Sequence, residues 1–413
     1  MQWCMRAVVG ALMVATPAAG WAQTRLGLQD VVDAALASRP GLKAEAERVA
    51  IAEGRLKQAG LWPNPEFQFS NENLRSGQTY TRDVDTLAVI TQPLDVLGKR
   101  GSRVEAANQT VARTTEELEL ARRQVAQRVR LAYWAARGAQ EYRDLLRASV
   151  DNFQRIVDYH AAQLSVGAIP EQDVLRVRLE REQLQIAAHV ATVDATTALV
   201  TLMNEVGRTL PSDGVMLTEP LDGQPSIAAA SVDDAVARRG EIKVARAAVA
   251  EAQAHAHLQE ALARPDLGVI YGYKRTQLPD TITGINTAIA GVRLTIPLTD
   301  RNQGNREAAA AEARRQQQLL AQAQVQARGD LERATQEYQL RRAEVTDTLR
   351  PLREHATEIA GIARAAYEQG AVDLLRLLDA ERSRFDAERA WVQGMMAFQQ
   401  SAVNLQFAQG AGR

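Results

Sequence analysis

Two kinds of hydrophobic patterning alternate along the chain, and each occurs twice. Leu267, Val269, Tyr271 and Tyr273 alternate with Gly268, Gly272 and Lys274, while Ala288, Ala290, Val292, Leu294 and Ile296 alternate with Thr287, Gly291, Arg293 and Thr295. A period of two puts one set on each face of a sheet, so both stretches are predicted strands. Phe67 and Phe69, followed by Leu87, Val89 and Thr91, are a fainter copy of the same pair. Polar segments 74–82 and 276–284, with Gly or Pro, read as hairpin loops.

The other pattern is helical. Leu320, Ala323, Ala327, Leu331, Ala334 and Tyr338 step by three or four, and Val111, Leu118, Val125 and Ala132 by seven. Segments 101–165 and 304–367, the second interrupted at Pro351, are predicted helices close to 100 Å long at about 1.5 Å per residue. Segments 28–60, broken at Pro40, and 172–205 together match one long helix in length. They are therefore expected to stack end to end alongside it. Alanine-rich seams permit close packing of such helices.

The chain is internally duplicated. Leu42-Lys43-Ala44 corresponds to Ile242-Lys243-Val244 and Pro65-Glu66-Phe67 to Pro265-Asp266-Leu267; farther on, Gly101 corresponds to Gly304 and Val166-Gly167-Ala168-Ile169 to Gln369-Gly370-Ala371-Val372. Matches that keep their order indicate a repeated unit of helix, two strands, long helix, turn and helix. The expected organisation is a leader at 1–22, a first repeat at 23–205, a connector at 206–231 and a second repeat at 232–413. Gly167 and Gly370 are placed at the far tips of two helical hairpins, where glycine suits left-handed geometry. Pro93 and Pro297 read as exits from sheet into helix, because proline lacks the N–H of a central strand. Gly101 and Gly304 just beyond them are expected to allow close approach.

Composition narrows the class. Aromatic content is 5% and formal net charge −1, which points to narrow helical seams and implies no nucleic-acid partner. Residues 1–22 carry Arg6, an apolar run from Ala7 to Ala19, and Gly20 and Ala22 before Gln23, the pattern of a cleaved secretory leader. The single cysteine, Cys4, falls inside it, so neither disulfides nor a lipid-anchored N-terminus are expected. No later apolar run reads as a membrane helix.

A ten-residue strand tilted by about 45° spans some 23 Å, the height of an outer-membrane barrel wall. A small soluble sheet is the alternative. Four strands per chain cannot close a barrel, and open edges in lipid leave backbone groups unpaired. Strands in a membrane would require an oligomer.

The duplicated order of elements, over essentially the whole mature chain, resembles the TolC-like outer-membrane efflux protein family. Leu61-Trp62-Pro63-Asn64-Pro65-Glu66, and Gln92-Pro93-Leu94 followed by Gly98-Lys99-Arg100, resemble its cobalt-zinc-cadmium branch. The resemblance implies a mainly α fold with a small β part. Long coiled α-helical hairpins would form a trimeric α-barrel, and four strands per protomer a 12-stranded transmembrane β-barrel. It also implies a homotrimer in outer-membrane lipid, a periplasmic membrane-fusion adaptor and an inner-membrane resistance-nodulation-division pump.

By the same resemblance, Tyr367 and Asp173 hold the periplasmic entrance shut, Asp379 rings the constriction, and Val166, Gly167, Ala168, Gly370 and Ala371 meet the adaptor. The family's second acidic ring position is Arg376 here, and its basic tip residue is Val372, two departures that bear on cation selectivity. Read from the residues alone, Tyr367 is seam packing and the two aspartates are solvated charges.

No nucleophile paired with a base is visible, so no enzyme and no cofactor are expected. The histidines at 160, 189, 255, 257 and 355 are too scattered for a metal site. Gly98-Lys99-Arg100 lacks the spacing of a phosphate loop. The function expected is a passive exit duct of a tripartite efflux system for heavy-metal cations. The alternatives are the exit duct of a drug or type I protein exporter, and a periplasmic coiled-coil adaptor, which usually has one hairpin instead of two.

Overall fold

The computed structural model describes residues 24–74, 76–77, 84–209, 214–227, 230–278 and 284–411. The leader expected at 1–22, and most of both strand-to-strand loops, lie outside the described residues. Chain order is β1 (Thr24–Leu26), α1 (Leu28–Ser38), α2 (Pro40–Ala59), β2 (Glu66–Glu72), β3 (Asp85–Leu94), α3 (Lys99–Ser165), α4 (Glu171–Val206) and β4 (Val215–Leu217). The second half continues with α5 (Val232–Arg238), α6 (Gly240–Leu262), β5 (Asp266–Thr276), β6 (Ile285–Thr295), α7 (Gln303–Ala343), α8 (Arg350–Glu368) and α9 (Leu374–Ala408). A π-helical turn over Glu344–Leu349 joins α7 to α8, so the second long helix is continuous but locally rewound.

The four longer strands form one antiparallel sheet in the order β2-β3-β5-β6. Opposed residues share a face, so the register sorts the side chains. On one face stand Phe67, Phe69, Ile90, Ala88, Val269, Tyr271, Tyr273, Val292 and Leu294. Phe67 and Val292 are each 68% exposed. The opposite face holds Glu66, Gln68, Glu72, Thr91, Lys274, Thr287 and Arg293, with Leu87, Val89, Ile270 and Ile289 among them. There Lys274 lies 3.6 Å from Glu72, and Arg293 lies 4.0 Å from Glu66 although two strands intervene. A side-chain pair can reach over that span only if the sheet curls with its polar face concave. The apolar face is therefore convex and outermost.

The sheet-to-helix junctions differ from expectation. Pro93 lies inside central strand β3, opposite Gly268, one residue before the strand ends at Leu94. The missing N–H is tolerated because it falls at the strand's last turn of pairing. Pro297 follows the end of β6. Gly101 and Gly304 make no close approach, since a Cβ on either would meet nothing within 4 Å. The left-handed residues that redirect the chain are Gly98 (φ +82°) and Asn302 (φ +58°), each immediately before its long helix.

Below the sheet, α2 and α4 stack end to end alongside α3. Their joint is tied by Ser38 Oγ donating to Val206 O (3.1 Å) and by Arg39 paired with Glu205 (2.7 Å). Arg239 breaks the second half at the corresponding place, between α5 and α6. It donates to Ala327 O (3.2 Å) and pairs with Asp330 (3.4 Å). Gly410, just past α9, sits against the Arg238–Arg239 backbone, so α9 and α6 are stacked in the same way.

Burial alone would raise the Glu205 carboxyl, but hydrogen bonds from Arg39 and Arg128 outweigh it and hold the pKa below its usual value. A depressed folded pKa contributes stability above the unfolded value, which is lost as pH falls through the folded one. Glu205→Gln is expected to melt below the wild type at pH 7. The difference should close below about pH 4, the ordinary carboxylate range. A gap that persists unchanged at acid pH would refute this.

The main core sits at mid-height, where Val125, Val129, Tyr133, Leu202, Trp391, Met395 and Phe398 pack together. Tyr133 Oη donates to Leu26 O (3.2 Å) and accepts from Glu219 N–H (3.1 Å). Gln140 bonds both Val215 and Leu217, and Gln399 holds Leu221 O and Gly223 O. The β1-β4 pair and the segment after it are thus belted to α3 and α9.

One helix departs from the reading that no membrane-length apolar run follows the leader. Within α4 lies an 18-residue window long and apolar enough to cross a bilayer. The physical reason is that α4 is apolar on two faces. Ala188, Ala191, Ala195, Leu199 and Leu202 are buried, while Leu179, Ile186, Val193 and Val200, seven apart, are exposed.

Candidate functional site

Both hairpins turn at their tips by the same device. The Gly167 N–H donates to Leu164 O (2.9 Å) and the Ala168 N–H to Gln163 O (3.0 Å); Gly370 and Ala371 repeat this on Tyr367 O (2.9 Å) and Ala366 O (2.8 Å). Both glycines are left-handed, at φ +72° and +70°, and a Cβ on either would meet nothing within 4 Å. Backbone conformation, not space, calls for glycine here. Val166, 77% exposed, stands at the first tip.

The acidic tip residues are placed by the helices that follow. Asp173 lies in the first turn of α4, where the helix dipole favours negative charge. Asp373 caps α9 by accepting the Arg376 N–H (3.0 Å). The Arg376 and Asp379 side chains are exposed on α9.

Tyr367 does not stand alone. Phe153, Val157, Val177, Leu374 and Leu378 form a small apolar cluster beneath the tips, and Tyr367 packs against it. Its phenol lies 2.7 Å from Nε2 of His160 on α3, with the two rings stacked at 5.5 Å and 16°. His160 is fully buried, and its Nδ1 lies 2.8 Å from Ile156 O. A carbonyl can only accept, so Nδ1 carries a proton, and in the neutral imidazole Nε2 is then the acceptor for the phenol O–H. Burial pushes the Tyr367 pKa up, and Tyr159 and Asp173 act in the same direction. The tyrosine therefore remains a protonated donor. Tyr159 meets the imidazole edge-on, and Gln163 donates to the Tyr159 hydroxyl (2.8 Å).

Farther from the tip lies a charged knot. Glu381 on α9 has no exposed surface; it pairs with Arg364 of α8 and with Arg384 (3.1 Å), and accepts from Asn152 of α3 (3.2 Å). Arg364 also donates to Asn152 Oδ1 (3.2 Å). Three helices from both hairpins meet in this one network.

Sequence reasoning missed His160, Arg364 and Glu381. The signal was present in the seam: Leu146, Phe153 and His160 are seven apart, as are Leu374 and Glu381. A polar residue on an apolar heptad position needs a partner. Among the described residues no group of three His, Cys, Asp or Glu stands together as metal ligands. His255 and His257 lie exposed on α6. The arrangement is suited to holding helices together, not to bond chemistry.

Known proteins give the fold its context. The outer membrane efflux protein family profile matches residues 31–208 and 231–411. The cobalt-zinc-cadmium resistance protein CzcC of Cupriavidus metallidurans is 27% identical over 364 residues, covering 88% of this chain and 84% of CzcC. The cation efflux system protein CusC of Escherichia coli K12 is 23% identical over 377 residues, covering 88% and 81%. The crystal structure of the Campylobacter jejuni CmeC outer membrane channel superposes with a TM-score of 0.75 at 17% identity, over 93% of this chain and 85% of that one. With both halves matched, and with a curled sheet set on long helical hairpins, the chain belongs to the outer membrane efflux protein family: it is a non-enzymatic outer-membrane channel with a periplasmic helical tunnel.

Proposed function

We propose that three copies of this chain close into one passive exit duct for heavy-metal cations, fed by a periplasmic adaptor and an inner-membrane resistance-nodulation-division pump. The observation that supports it best is the convex apolar face of a sheet whose edges, β2 and β6, have no partner strand among the described residues. In lipid, each unpaired backbone group costs several kcal/mol, roughly, so β6 of one copy would join β2 of the next. Twelve strands would then close the wall.

That joint also places the helices. The α7 and α8 that follow β6 would run beside the neighbouring copy's α2, which precedes β2, and the α4 stacked on it. These are helices with unpartnered apolar side chains: Leu179, Ile186, Val193 and Val200 on α4, and Leu352, Ile359 and Ile362 on α8. The metal cargo is supported by the likeness to the cobalt-zinc-cadmium resistance protein.

In this reading residues 1–22 are a leader, and the units 23–205 and 232–413 flank a connector at 206–231. Tyr367, Asp173, Asp379 and Arg376 ring the entrance, and Val166, Gly167, Ala168, Gly370 and Ala371 meet the adaptor. Pro93 and Pro297 mark the boundary between barrel and tunnel.

The test is deletion of the gene in its native host. Tolerance to cobalt, zinc or cadmium is expected to fall severalfold and to return with the full-length chain, which should fractionate with the outer membrane as a trimer. Unchanged metal tolerance with lost drug tolerance would favour a drug exporter's duct. A soluble monomer would overturn the assembly.

A further inference from the structure

The tips leave one question that the family does not answer for this chain, namely what holds Tyr367 in place. At this level α3 and α8 are not packed backbone against backbone. A crevice runs between them, forming two cavities of about 380 and 420 Å³, both lined by Asn152, Arg155 and Arg364. Side chains bridge it: Arg364 reaches Asn152, and nearer the tip Tyr367 reaches His160.

We infer that His160 is the positioning residue of the entrance gate, tying the second hairpin to the first within each copy by accepting the hydrogen bond of Tyr367. The inference rests on the reading of the tips as the duct's entrance. The imidazole suits the task because both nitrogens are committed. Nδ1–H on Ile156 O fixes the ring and its tautomer, which leaves Nε2 as a lone acceptor aimed at the phenol. The stacked rings fix the angle of approach as well as the distance. Tyr367 is thereby preset by its own protomer, and any contact it makes to a neighbouring copy starts from a fixed position.

Glutamine at 160 could still offer an acceptor, phenylalanine would keep the stack without one, and asparagine would be too short to reach the phenol. The full-length trimer in planar bilayers is the assay, with wild type, H160F, Y367F, H160F/Y367F and H160Q compared. Loss of one neutral hydrogen bond favours opening about fivefold per copy, so a trimer lacking it in all three copies should rise at least about fivefold in open-state occupancy. H160F and Y367F are each expected to show it, the double variant to show no more than either, and H160Q to stay near wild type. If H160F does not assemble, H160N takes its place. Effects of H160F and Y367F that multiply, or an H160F trimer indistinguishable from wild type, would show that His160 only fills the seam. Wild-type trimers that insert without conducting would overturn the duct reading and the gate residue with it, whereas channels insensitive to H160F would overturn the gate residue alone.

Discussion

Aspartate at both Ile186 and Val193 is expected to abolish trimers while leaving the protomer folded. Both side chains point away from α3 and are 66% and 64% exposed in the single chain, so a charge there costs the isolated protomer less than about 0.5 kcal/mol. In the proposed assembly the same positions face the neighbouring copy's helices. Each buried carboxylate without a partner costs several kcal/mol, roughly, and the trimer would contain two from every copy. Light scattering in detergent should report monomers, and circular dichroism should show undiminished helix. Trimers as stable as wild type would remove α4 from the interface. Asn at the same two positions, polar but uncharged, should weaken assembly by less.

The second large effect is expected at Glu381. Its carboxylate is fully buried, and Glu381→Ala leaves Arg364, Arg384 and Asn152 facing an empty, desolvated space. Removing one partner of a buried ion pair costs about 3–5 kcal/mol. The Arg364 side chain is 45% exposed and the Arg384 side chain 23%, so both can turn partly to water, which favours the lower end of that range. A fall in the urea midpoint is therefore expected. Glu381→Gln, which retains an acceptor, should lie between the two. A midpoint within error of wild type would mean that the network contributes nothing net to stability.

How much of this was legible depended on whether a residue's role is local. Strands β5 and β6 were readable because Leu267, Val269, Tyr271 and Tyr273, and Ala288, Ala290, Val292 and Leu294, recur with a period of two along eleven-residue strands. The hairpin tips were readable because only glycine is comfortable at φ near +70°. The junction glycines were misplaced because sequence spacing does not distinguish a glycine within the first turn of a helix, such as Gly101, from one that redirects the chain, such as Gly98. The helix α4 was read with nearly its observed bounds, and only the length of its apolar run was underestimated. His160 and Tyr367 are 207 residues apart on different repeats, and they meet only because the two hairpins lie side by side. The seven-residue spacing marks His160 as a polar residue in a seam, but nothing within either repeat names Tyr367 as its partner.

The π-helical turn before α8 has a mechanical consequence. Its wider winding already departs from the regular ladder, Pro351 removes a further donor just beyond it, and the Leu349 side chain is seated directly against Gly394 of α9. That level, where Val345 and Leu349 are anchored in the main core, is where the hydrogen-bond ladder of the second long helix is least regular. From Leu349 to the tip at Gly370 is an arm of some twenty residues, about 30 Å of helix. A tilt of about ten degrees at that level would swing the tip by about 5 Å, the width of one side chain, while the belted mid-height core above stays still.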